Sequence, residues 1–176
     1  MKTQGIFEIE FGGLDFGTHE FDFEITDEFF SHFEYSKIKN GALHVQVLLD
    51  KEEGFMSLTL QISGTVNLAC DRCLNRIDYP IETTQVLIVN QGEESGETDA
   101  DVDSIILADG ETRMDVAQHV YEYINLALPL TVNCDGLENV VCDEATLRKL
   151  KAVEQTGNIE TTDPRWDKLK DLDKTK

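Results

Sequence analysis

Between Leu43 and Val89 the chain alternates apolar and polar residues with a period of two, a pattern that suits half-buried β-strands and little else. Leu43, Val45, Val47 and Leu49 alternate, the stretch from Asp50 to Gly54 offers a turn, and Leu58, Leu60 and Ile62 resume the alternation. Gly64 predicts a bulge ahead of Val66 and Leu68. Ile77, Tyr79 and Ile81 restore the period, and a β-prone run follows from Val86 to Val89. Upstream, Ile6, Phe7, Ile9 and Phe11 form a short β-prone run, and Phe21, Phe23 and Ile25 alternate with Asp22 and Glu24. Thr26 then offers a cap for a short helix through Phe33, with Phe29, Phe30 and Phe33 at helical spacing and read as core.

The last third changes period. Thr112 to Asp115 has the capping-box pattern, and Val116, Val120 and Ile124, with Ala117 and Tyr121, make one apolar helical face that ends near Pro129. Asp143 offers a cap to a second helix carrying Leu147 and Leu150. A polar linker from Glu154 to Thr161 precedes a third, in which Thr162 or Asp163 caps, Pro164 takes the first helical position, and Trp166 and Leu169 share a face. The expected class is therefore α+β: an antiparallel β-meander or partly closed barrel, followed by C-terminal helices. Residues 1–153 read as one domain, and 154–176 as a linker with a short amphipathic helix.

Charge sets the kinds of partner open to such a chain. Its 176 residues hold fifteen Lys and Arg against thirty-five Asp and Glu, for a net charge of −20. That balance argues against a general grip on phosphates and favours a basic protein partner, such as a ribosomal protein. The asymmetry is internal: residues 148–176 carry eight basic and six acidic residues, whereas 1–147 carry seven and twenty-nine. The stretch 91–103 alone holds six acids and no base, and reads as a solvated loop or as a lure for a basic partner. No apolar stretch approaches the roughly 20 residues of a membrane helix. Acids occupy the N-terminal positions where a signal peptide is apolar, so a cytoplasmic location with reduced thiols is expected.

The chemistry-bearing residues are four cysteines in two clusters, Cys70 with Cys73 and Cys134 with Cys142. A C-x2-C turn between two strands lets both sulfurs face one centre, and neighbouring backbone amides can donate to the thiolates. Cys142 precedes the capping Asp143, where the positive end of a helix dipole favours thiolate. Four thiolates would complete a tetrahedral zinc site with no open position, a structural site tying sheet to helices. Two other readings stand beside it: four unligated reduced thiols, one or two of them small core residues, or redox chemistry. A thioredoxin-like C-x2-C opens a helix in a βαβ unit, which a β-meander does not provide.

Nothing else forms a catalytic constellation. His19, His32, His44 and His119 are scattered, and none sits in a recognisable nucleophile context. There is no phosphate-binding or dinucleotide fingerprint. No enzymatic activity and no small-molecule substrate are therefore expected. Arg72 and Arg76 flank the cysteine turn as rare cations of the acidic body. They can hold a phosphate or pair with nearby acids.

The run GTVNLACDRCLNRIDYPIE, from Gly64 to Glu82, resembles the signature of the YceD-like family, the large ribosomal RNA accumulation proteins. The likeness continues through DEFFSHFEYSKI before it and MDVAQHVYEYINLALPL after it. The ending TDPRWDKLKDL resembles that of Bacteroidetes-type members. It spans about Glu20 to Leu172. The resemblance implies a non-catalytic role in synthesis, processing or stability of large-subunit ribosomal RNA, with a ribosomal protein or pre-ribosomal particle as partner. The alternative it leaves open is direct binding of ribosomal RNA through Arg72, Arg76 and the C-terminal tail. Many relatives carry their second cysteine cluster as a compact C-x2-C near the C-terminus, and this chain does not. Where similar proteins have a His after the Leu-Pro segment, this chain has Cys134, which preserves a metal ligand.

Overall fold

In a computed structural model, which describes residues 7–91, 103–135, 137 and 140–156, the period-two stretch forms three long strands of one sheet. β1 (Glu8–Glu10) is followed by β2 (Gly17–Ile25), α1 (Asp27–Ser31), β3 (Asn40–Glu52), β4 (Phe55–Ala69) and β5 (Arg76–Gln91). After these come β6 (Asp103–Leu107), β7 (Arg113–Asp115), α2 (Ala117–Leu126) and α3 (Glu144–Thr156). The main sheet has five strands in the order β2-β3-β4-β5-β6, and its two outer strands do not meet. The architecture is thus α+β with an open sheet. β2 to β5 run antiparallel, but β6 lies parallel to β5. A separate two-stranded pairing joins β1 to β7.

Register follows from the alternation, because a slip of one residue would turn every apolar side chain outward. Val45 pairs with Ile62, Val47 with Leu60, and Leu49 with Leu58. All six side chains are buried. Each such burial is worth about 1.5–3 kcal/mol before chain entropy is subtracted. On the opposite face of the outer strand β2, Glu20, Asp22 and Glu24 are exposed. Charges on an edge strand discourage pairing with another chain. A two-residue turn, Glu53-Gly54, closes the β3–β4 hairpin, with Gly54 at φ +75°.

Gly64 does not make the expected bulge. It pairs with Leu43 on one side and Ile81 on the other, without an extra residue in either ladder. The glycine is needed for space and for its φ of +143°, since an added Cβ would lie 2.3 Å from the Ala42 carbonyl oxygen.

A chain of rings joins the layers. Phe7 contacts Phe23 of β2 and Phe29 of α1 at centroid distances of 5.2 and 4.8 Å. Phe29 meets Phe33, which stacks on Tyr121 of α2 at 3.9 Å. The first helix is shorter than expected, ending at Ser31 in the i to i+3 bonds His32 N–H to Phe29 O and Phe33 N–H to Phe30 O. Thr26 holds the N-cap position, but its side chain makes no cap. The Asp27 carboxylate instead accepts from Asn40 Nδ2 and Gly41 N, each at 2.9 Å, fastening α1 to β3.

The capping box at Thr112 is also displaced. Residues 113–115 are strand β7, and Asp115 Oδ1 accepts the Ala117 amide at 2.9 Å where α2 begins. Asp143 caps α3 as expected, accepting from Thr146 N at 2.8 Å and Thr146 Oγ1 at 2.6 Å. Leu147 packs against the core, and α3 continues to Thr156, into the expected linker. The expected C-terminal helix lies outside the described residues. So does the acidic loop, except that Gln91 ends β5 and Asp103 opens β6.

Candidate metal centre

The end of the β4–β5 hairpin carries the first two cysteines. Cys70 follows the last residue of β4, and a tight turn returns the chain to β5. The Leu74 N–H donates to Cys70 O and the Cys70 N–H to Asn75 O, both at 2.8 Å. Leu74 adopts φ +64°, a left-handed conformation in which its Cβ crowds the backbone, and its side chain is 72% exposed. The fold accepts this strain to turn both sulfurs inward.

The second pair arrives on the connection between α2 and α3. Asp71 stitches that connection to the hairpin turn. Its N–H donates to Val132 O, and its carboxylate accepts from Val132 N, each at 2.7 Å. This holds Cys134 opposite Cys73, with sulfurs 3.7 Å apart. All four sulfurs lie within 4.8 Å of one another and all four residues are buried. A disulfide needs about 2.05 Å, so these are free thiols. The arrangement is compatible with a metal site.

The electrostatics favour thiolate at one sulfur and oppose it at another. Burial pushes the Cys70 thiol up, but donation from the amides of Cys73 and Arg72, and from the Cys73 and Cys134 thiols, brings it down to about 6. Burial and the neighbouring sulfurs push Cys134 far up. Arg72 supplies a counter-charge, donating to Asp135 and, from Nε at 3.3 Å and Nη2 at 3.1 Å, to Cys142 Sγ. Asp135 first, and then Cys142, hold the guanidinium firmly charged.

The two arginines of the cysteine turn thus part company. Arg72 is committed to the sulfur cluster, whereas Arg76 has no ion pair among the described residues. None of the four histidines joins the cluster. Three contact Asp15 O, Glu28 O and Asp22, and the fourth, His119, lies near Tyr123. Sequence reasoning missed Asp71 and Asp135. The only local signal was that the turn between Cys70 and Cys73 contains one acid and one base.

An open sheet whose hairpin end meets the α2–α3 connection at four buried sulfurs defines a small α+β protein with an internal cluster of soft ligand atoms. Residues 58–173 match the family model described as large ribosomal RNA subunit accumulation protein YceD, and the chain belongs to that family. The match includes all four cysteines and begins within β4. The family is named for accumulation of large-subunit ribosomal RNA. No curated protein and no solved structure matches the chain.

Proposed function

We propose that the chain is a non-catalytic cytoplasmic factor in large-subunit ribosomal RNA synthesis, processing or stability, acting through a basic ribosomal protein or assembly partner. Family membership over residues 58–173 is the observation that carries the proposal. A net charge of −20 supports a basic protein partner over a general hold on RNA. No described helix is long and apolar enough to cross a membrane.

Within this role, Cys70, Cys73, Cys134 and Cys142 hold one structural zinc. Zinc–sulfur bonds of about 2.3 Å place the sulfurs of a regular tetrahedron about 3.8 Å apart. The Cys73 and Cys134 sulfurs lie 3.7 Å apart here, and every pair lies within 4.8 Å. Zinc with four thiolates carries excess negative charge, which Arg72 and the backbone amides offset. A full set of protein ligands leaves no position for substrate, so the metal organises the fold and performs no reaction.

Depletion of the protein should lower large-subunit ribosomal RNA relative to small-subunit RNA, measured by quantitative northern blot. Tagged protein should recover a basic ribosomal protein or pre-ribosomal particles at moderate salt. An unchanged RNA ratio overturns the role, and recovery of neither partner overturns its proposed route.

A further inference from the structure

Beside the cysteine turn lies a groove of about 730 Å³, walled by Tyr35, Lys37, Leu68, Arg76, Tyr121 and Leu130 among others. Its lining differs from the rest of the acidic body. Six of the seven basic residues in 1–147 fall among the described residues. Lys51 donates to the carbonyls of Phe11 and Leu14, Arg72 serves Asp135 and Cys142, and Arg113 pairs with Glu8 and Glu10. Lys37, Lys39 and Arg76 have no ion pair among the described residues, and two of these three line this one groove. The one carboxylate in the lining, Asp71, is occupied by the Val132 amide.

The aromatic content points the same way. Tyr35 is 92% exposed, whereas Phe29 and Phe30 of the preceding helix are buried. Leu130 is fully exposed across the groove. An open ring beside uncommitted cations provides the two things a single-stranded nucleic acid uses, a stacking platform for a base and charge for its phosphates. Acids elsewhere on the body would repel the strand, so contact is confined to a few nucleotides.

We propose that this groove binds a short single-stranded segment of RNA, with a base stacked on Tyr35 and two phosphates at Lys37 and Arg76. The inference rests on the ribosomal role proposed above, and adds to it a direct RNA contact that uses neither Arg72 nor the C-terminal tail.

The test is fluorescence anisotropy of a fluorescein-labelled, mixed-sequence single-stranded RNA octamer, titrated with the full chain at several salt concentrations. Two phosphate contacts predict saturable binding whose log–log salt slope is about −1.4. Tyr35→Ala should weaken binding roughly tenfold, and Tyr35→Phe should retain it. The double variant Lys37→Gln with Arg76→Gln should flatten the slope to near zero. All three side chains are exposed, and matching thermal melts confirm that the variants fold. Absence of saturable binding overturns the proposal, as does binding that ignores all these substitutions. It is also overturned if the double variant loses a ribosomal protein in pull-downs while RNA affinity is unchanged. Depletion that leaves large-subunit RNA unchanged strikes the ribosomal role instead, so the two failures can be told apart.

Discussion

The middle of the sheet and its cysteine end are both buried, yet they are held together by different chemistry. Around Val47, Leu58 and Leu60 the cohesion is apolar, distributed over many side chains and indifferent to oxidants, chelators and pH. At the hairpin end, four sulfurs, one guanidinium and the Asp71–Val132 stitch tie in the connection between α2 and α3. Cohesion there is concentrated in a few atoms, and with a bound metal it depends on the metal supply. A single substitution can therefore disconnect the cysteine end while leaving the sheet intact, and the reverse should also hold.

The sharpest break is Cys73→Ser. It should reduce the metal content from near one per chain to zero by elemental analysis, and lower the melting temperature by about 10 °C. Hydrogen exchange in β3 and β4 should be nearly unchanged, and collapse of that protection would show that the two regions are one unit. The converse variant, Leu60→Ala, should cost about 3 kcal/mol in denaturant unfolding while metal stoichiometry stays near one.

Smaller effects sharpen the contrast. Arg72→Gln should weaken metal affinity about 10- to 100-fold in a chelator competition, because the Cys142 sulfur loses its charged donor. Leu74→Gly should raise stability by about 1 kcal/mol in denaturant unfolding, by relieving the left-handed strain of the turn. In the sheet half, hydrogen bonds from Asn40 and Gly41 hold the Asp27 carboxyl below its ordinary value of 3.8. Its stabilising effect is present above pH 3.8 and is lost as pH falls through the lower, folded value. Asp27→Ala should therefore lower the melting temperature slightly at pH 7, with the deficit shrinking toward pH 2.

What could be read from the sequence follows the same division. Alternation between Leu43 and Val89 was enough to place β3, β4 and β5, because burying one face fixes both period and register. The meeting of the two cysteine clusters was one of the readings open from ligand type, beside unligated core thiols and redox chemistry, and the structure brings all four sulfurs together. Asp71 and Asp135 were not legible, because each acts on a residue more than sixty positions away. Gly64 was misread as a bulge because spacing alone does not reveal that the Ala42 carbonyl sits where a side chain would be. At Thr112 the local capping pattern lost to a tertiary contact: β7 pairs with β1, and Asp115 takes over the helix start.

Cys73 and Cys134 lie side by side but are separated by 61 residues of chain. In a polypeptide made from its N-terminus at about 5–20 residues per second, the third sulfur emerges roughly 3–12 s after the second. Through that interval a hairpin tip with two sulfurs can hold an ion only incompletely, and the remaining ligands arrive once α2 has been synthesised. On the proposed metal site, tight retention would therefore wait for the segment that follows α2. The proposed site would thereby distinguish chains that have reached Cys142 from fragments that carry the sheet alone.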